Sequence, residues 1–154
     1  MESAATTQRV LNEKLIDWFS EQVLCHEPRM LVVEDDHDLE PVLRRVVQSI
    51  RPDVLVDWAG DTRTARALLG SRFYDIVLVD QCLGEEGSGL SLRGQCWEKQ
   101  PQAIFAAMSV WPLSDYLLSV GGGGIPFLRK PFTLPECRAF LRSLLRGPRR
   151  AKRR

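Results

Sequence analysis

Three short apolar runs, Met30–Val33, Ile76–Val79 and Ile104–Met108, constrain this chain more than any other feature. Each is too short for a buried helix and suits a strand covered on both faces. Each also stops at a polar group: the first at Glu34-Asp35-Asp36, the second at Asp80 and the third at Ser109. A fourth stretch, Ile125–Leu128, leads to Lys130-Pro131. Strands of this kind carry acids, a hydroxyl and an amine to their carboxyl ends.

Between the runs the period changes to that of a helix. Leu39, Leu43, Val46, Val47 and Ile50 share one helical face before Arg51-Pro52. Ala65, Leu68 and Leu69 mark a short helix expected to end at Gly70, and Leu90–Lys99 a weaker one carrying Gly94. Pro112 suits a helix first turn ahead of Leu113, Tyr116, Leu117 and Val120, which Gly121–Gly124 stop. Thr133 and Glu136 have capping-box spacing before Cys137, Phe140, Leu141, Leu144 and Leu145, and Gly147-Pro148 closes that helix.

This is an α/β pattern of five β–α units in about 120 residues, which implies a parallel sheet covered on both faces. Val54, Val56 and Trp58 alternate with Leu55 and Asp57, and the last strand contains Pro126, which cannot donate to a ladder. Both read as edge strands. Edges at positions two and five give the doubly wound order 2-1-3-4-5, whose ligands bind outside the strand carboxyl ends near the switch between the first and third strands. Glu34, Asp35 and Asp80 stand there.

The 154 residues suffice for one domain. No apolar stretch is long enough for a membrane helix, and Met1-Glu2-Ser3-Ala4 lacks the features of a secretory signal, so the cytoplasm is the expected compartment. Cys25, Cys82, Cys96 and Cys137 show no CxxC spacing and read as reduced, mostly core-filling thiols; Cys25-His26 has no partner pair for a metal site. Residues 1–28 form an extension in which Leu11, Leu15, Trp18, Phe19 and Val23 outline an amphipathic helix; 29–147 hold the β–α units; 148–154 form a basic tail. The last six residues carry five positive charges, so with a net charge of +1 the remainder of the chain is at −4. The tail reads as a solvated end or as a weak contact for nucleic acid.

Three carboxylates at one sheet edge repel one another and call for a cation. Oxygen donors without His or Cys select a hard ion, and magnesium is favoured because it binds through a few carboxylates together with waters and phosphate oxygens. No Gly-rich phosphate loop follows the first strand, which argues against a nucleotide site. With Lys130 as a point charge and Ser109 as a hydroxyl donor, the set suits phosphoryl transfer onto a carboxylate.

Four motifs in order now resemble one family. "LVVEDD" (31–36), "DIVLVD" (75–80), "AAMS" (106–109) and "FLRKPF" (127–132) are similar to the motifs of receiver domains of two-component response regulators, over about residues 29–147. The resemblance implies a flavodoxin-like fold with an extra N-terminal helix. It implies Asp80 as phosphoacceptor, Lys130 and Ser109 as its partners, and Ser109 and Phe127 as the switch. It implies Mg2+ held by Glu34, Asp35, Asp80 and the backbone carbonyl of Cys82, and a cis Lys130–Pro131 bond. The expected donor is a sensor histidine kinase or a histidine phosphotransfer protein. The expected output is a protein partner bound through the face made by the Pro112 helix, the strand before Lys130 and the last helix.

The loop after Asp80 departs from the family pattern. It is longer by one residue and has Gly84 where proline is common, and Val110-Trp111 after Ser109 is expected to crowd the phosphoryl site. The leading expectation is a stand-alone receiver that is not an enzyme. A phosphatase with an aspartyl nucleophile typically has a second Asp two residues on, where Cys82 stands. A pseudo-receiver that binds protein without phosphorylation and a tail-mediated nucleic-acid regulator are the alternatives.

Overall fold

The computed structural model describes residues 27–84, 88–111 and 124–146. The N-terminal helix outlined by Leu11 to Val23, the helix expected after Pro112 and the basic tail lie outside the described residues. Five strands, β1 (Arg29–Val33), β2 (Leu55–Ala59), β3 (Ile76–Asp80), β4 (Ile104–Ser109) and β5 (Phe127–Arg129), form one parallel sheet in the order β2-β1-β3-β4-β5. The described helices are α1 (Leu39–Ile50), α2 (Thr62–Ser71), α3 (Arg93–Lys99, entered through a 3-10 turn at Gly89–Leu92) and α4 (Leu134–Leu144).

Alternation along the strands builds two separate cores. Met30, Val32, Leu78 and Met108 point to one face and pack with Leu43 and Val47 of α1 and Leu141 of α4. Leu31, Val33, Val77, Val79 and Ala107 point to the other and pack with Leu69 of α2 and Cys96 of α3. β3 is buried throughout, whereas β2 and β5 are partly exposed at the edges, as their sequences require.

Helix ends follow local chemistry. Asp61 caps α2 by accepting the Thr64 N–H at 2.6 Å. At α4 the Thr133–Glu136 capping box is formed in both directions. Several boundaries differ from the sequence expectation: α4 ends at Leu144, ahead of Gly147, and the helix expected over Leu90–Lys99 is α-helical only from Arg93. α2 runs through Gly70 to Ser71, because Arg72 N–H still reaches Leu68 O at 2.9 Å and a glycine without positive φ does not stop a helix. β5 begins after Pro126, whose carbonyl accepts the Ala107 N–H at 2.9 Å, so the proline joins the ladder only as an acceptor. Cys96 and Cys137 are core residues, while Cys82 is exposed.

Asp57 on the edge strand ties distant segments together. One of its oxygens accepts from Tyr74 Oη at 2.8 Å, Arg72 Nη1 at 2.9 Å and Arg29 Nη1 at 3.4 Å. Burial opposes its ionisation, but these donors outweigh it and hold the carboxyl below the usual range. Asp57→Asn should cost about 1–3 kcal/mol at neutral pH. A carboxyl depressed on folding stabilises fully above its unfolded pKa of about 4 and loses that contribution as pH falls through the folded value. Urea unfolding of wild type and variant should therefore converge as pH falls from about 5 toward 2; a gap that stays constant would sink this account of Asp57.

Candidate functional site

The side chains at the carboxyl edge sort by the same alternation that divides the core. Glu34 continues the face of Met30 and Val32, Asp80 that of Ile76 and Leu78, and Lys130 that of Leu128. Glu34 N–H keeps the ladder going to Ala59 O at 2.9 Å, and Lys130 N–H does so to Ser109 O at 2.8 Å. The three side chains meet as a result. Lys130 Nζ lies 2.5 Å from Glu34 Oε2 and 2.7 Å from Asp80 Oδ2. The Lys130–Pro131 bond is cis.

These groups are removed from water: Glu34 is fully buried and Asp80 is 5 % exposed. Burial pushes the Glu34 carboxyl up to about 7, with the Asp80 charge adding to the rise against hydrogen bonds from Lys130 and the Asp36 N–H. Burial disfavours the Lys130 ammonium, but its bonds to Asp80 and Glu34 outweigh that and hold it above the ordinary lysine value. Asp35 stands exposed beside the pair. One oxygen from each of Glu34, Asp35 and Asp80 lies within 4.8 Å of the others. An all-oxygen set with one solvent-facing member fits a hard cation that keeps waters. Lys130 pairs with two of the three acids, which leaves negative charge for such a cation to neutralise.

Asp80 is fixed from its own loop as well, since Cys82 N–H donates to Oδ1 at 3.0 Å. Ser109 reaches the same edge but not Asp80. It continues the opposite face, that of Phe105 and Ala107, and is fully buried. There its Oγ contacts Gln81 Oε1 and the Trp111 carbonyl and accepts the Trp111 N–H. Phe127 stands on edge strand β5 at 40 % exposure. The Val110 and Trp111 side chains are more than half exposed at the rim, and what reaches inward is the Trp111 backbone.

Two glycines have roles that show only in three dimensions. A Cβ on Gly89 would lie 2.2 Å from Asp80 O and 2.9 Å from Val79 Cβ, so the entry to α3 presses directly on the strand that carries Asp80. Gly84 has φ +53°, which proline cannot adopt, and this accounts for the departure from the family pattern at that place. A Cβ there would stand 3.3 Å from Asp35 Oδ2. The only sequence signal for Gly89 is its place between Ser88, which caps the turn, and buried Leu90.

No family model matches the chain. Among curated proteins it is similar to the transcriptional regulatory protein PmrA of Pectobacterium parmentieri, 32 % identical over 122 residues that make up 77 % of this chain and 52 % of that protein. The chain spans about half the length of the curated relatives it matches. Among solved structures it resembles the non-phosphorylated HemR receiver domain of Leptospira biflexa, with a TM-score of 0.66 and 27 % identity over 79 % of this chain and 97 % of that one. It also resembles a Burkholderia pseudomallei response regulator solved with a phosphorylated aspartic acid, calcium ion and citrate, with a TM-score of 0.61 and 26 % identity over 74 % of this chain and 66 % of that one.

The contact at Gly89 yields a test. Gly89→Ala should lower the urea midpoint at unchanged m-value, at a cost of about 1–3 kcal/mol from overpacking. An unchanged midpoint would show that the α3 entry is free to move off Asp80.

Proposed function

The described body is a receiver domain of two-component signalling, and from that premise we propose that Asp80 accepts a phosphoryl group from a sensor histidine kinase or a histidine phosphotransfer protein. The carrying observation is the buried contact of Lys130 with both Glu34 and Asp80 beside exposed Asp35. An Asp80 oxygen attacks phosphorus, the bond from phosphorus to the donor nitrogen or oxygen breaks, and the donor leaves with that electron pair. Lys130 then has a phosphoryl oxygen to pair with in place of part of its carboxylate contact. Glu34, Asp35, Asp80 and the Cys82 carbonyl are the proposed holders of Mg2+. When bound, Mg2+ supplies charge neutralisation of the phosphoryl oxygens.

Phosphorylation is read out, in this proposal, by Ser109 turning to the phosphoryl group and Phe127 turning inward from its exposed position on β5. That changes the face made with α4 and recruits a protein partner. The proposed setting is the cytoplasm. Among the described residues no helix is long and apolar enough to cross a membrane. The role is that of a switch rather than a turnover enzyme, and Cys82 occupies the place where a phosphatase acid is expected.

Acetyl phosphate with Mg2+ tests this on the full chain by intact mass. Wild type should gain one phosphoryl group, Asp80→Asn none, and Lys130→Met should label slower by roughly 10²-fold. Equal labelling of Asp80→Asn would refute Asp80 as the acceptor.

A further inference from the structure

We propose that Gln81 is a positioning residue for Ser109: its side-chain amide, together with the Trp111 backbone, holds the Ser109 hydroxyl away from Asp80 until a phosphoryl group competes for it. The inference rests on the proposed phosphorylation of Asp80 and names the contact that regulates it.

Strand geometry makes these two residues partners. Gln81 follows Asp80, so it continues the opposite face of the sheet, that of Val77 and Val79. Ser109 continues the same face from β4. The Gln81 N–H donates to Met108 O at 2.9 Å, which carries the β3–β4 pairing one residue beyond Asp80 and sets Gln81 beside Ser109. Asp80 and Lys130 project from the other side of the same edge.

The one proton of the hydroxyl is already in use. Ser109 Oγ accepts the Trp111 N–H at 2.9 Å and stands 2.7 Å from the Trp111 carbonyl and in hydrogen-bond contact with the Gln81 amide. A hydroxyl has one proton. If it donates to Trp111 O, the Gln81 amide faces it with its NH2; if it donates to Gln81, the Trp111 carbonyl loses that donor. In both arrangements the proton that a phosphoryl oxygen needs is already committed. Ser109 is fully buried, so water does not replace a bond it gives up. Turning to a phosphoryl group therefore gives up contacts with both Gln81 and the Trp111 backbone, and the strength of the Gln81 contact biases the resting state.

Beryllofluoride with Mg2+ on the full chain is the probe, titrated against wild type, Gln81→Ala, Ser109→Ala and the double variant. Gln81→Ala should tighten binding roughly three- to tenfold, the worth of one net hydrogen bond, and the gain should vanish in the Ser109→Ala background. No gain, weaker binding, or an equal gain in both backgrounds overturns the proposal. Should wild type bind no more beryllofluoride than Asp80→Asn, the functional reading fails instead. The contact is then judged from the Gln81 side-chain amide resonances. Displacement by Ser109→Ala supports it, and unmoved resonances overturn it.

Discussion

The Lys130 ammonium, 2.5 Å from Glu34 and 2.7 Å from Asp80, joins the ends of β1, β3 and β5 in one contact. It brings together residues 96 and 50 positions apart in sequence. The pairing is demanding. Burying carboxylates costs more than one amine returns unless every lone pair finds a donor, and here the Asp36 and Cys82 N–H groups supply two more. The charge is still unbalanced, and the most buried acid yields: Glu34 is the carboxyl pushed toward neutrality. Well-packed apolar residues of similar volume are often as stabilising as a buried ion pair or more so, so the pairing itself is weak support for stability. The imbalance is what the proposed cation and phosphoryl group act on.

Strand alternation divides the labour at this edge. Glu34, Asp80 and Lys130 extend one face of the sheet, and Gln81 and Ser109 extend the other. The proposed chemistry sits on the first side and the proposed resting contact of the switch hydroxyl on the second. Communication between them has a short route, because Asp80 and Gln81 are neighbours in the chain. Gly89 packs against the same stretch of backbone, so the α3 entry, Asp80 and Gln81 share one mechanical support.

Much of this was legible in the sequence, for physical reasons. Interior parallel strands must be apolar on both faces, so β1, β3 and β4 announced themselves, and the alternation of β2 and the proline beside β5 marked the edges. The strand order then placed Glu34, Asp35, Asp80 and Lys130 together. Contacts that depend on backbone dihedrals or close approach were hidden. Gly89 reads as an ordinary loop glycine and Gly84 only as a departure from the usual proline, since neither a 2.2 Å Cβ approach nor a φ of +53° leaves a trace in residue type. Gln81 was unremarkable because its partner is 28 residues away. Val110 and Trp111 are bulky, yet each is more than half exposed and the contact with Ser109 is made by the Trp111 backbone.

In the proposed reading, Glu34, Asp35 and Asp80 form one electrostatically unfinished site that a hard cation completes. Thermal melting of the full chain across an Mg2+ titration tests it most directly. A cation that binds the folded state alone raises the melting temperature as its concentration passes the dissociation constant. Wild type should show that rise, and Asp35→Asn and Asp80→Asn should each lose it. An equal rise in all three proteins, or none in wild type, would contradict the account.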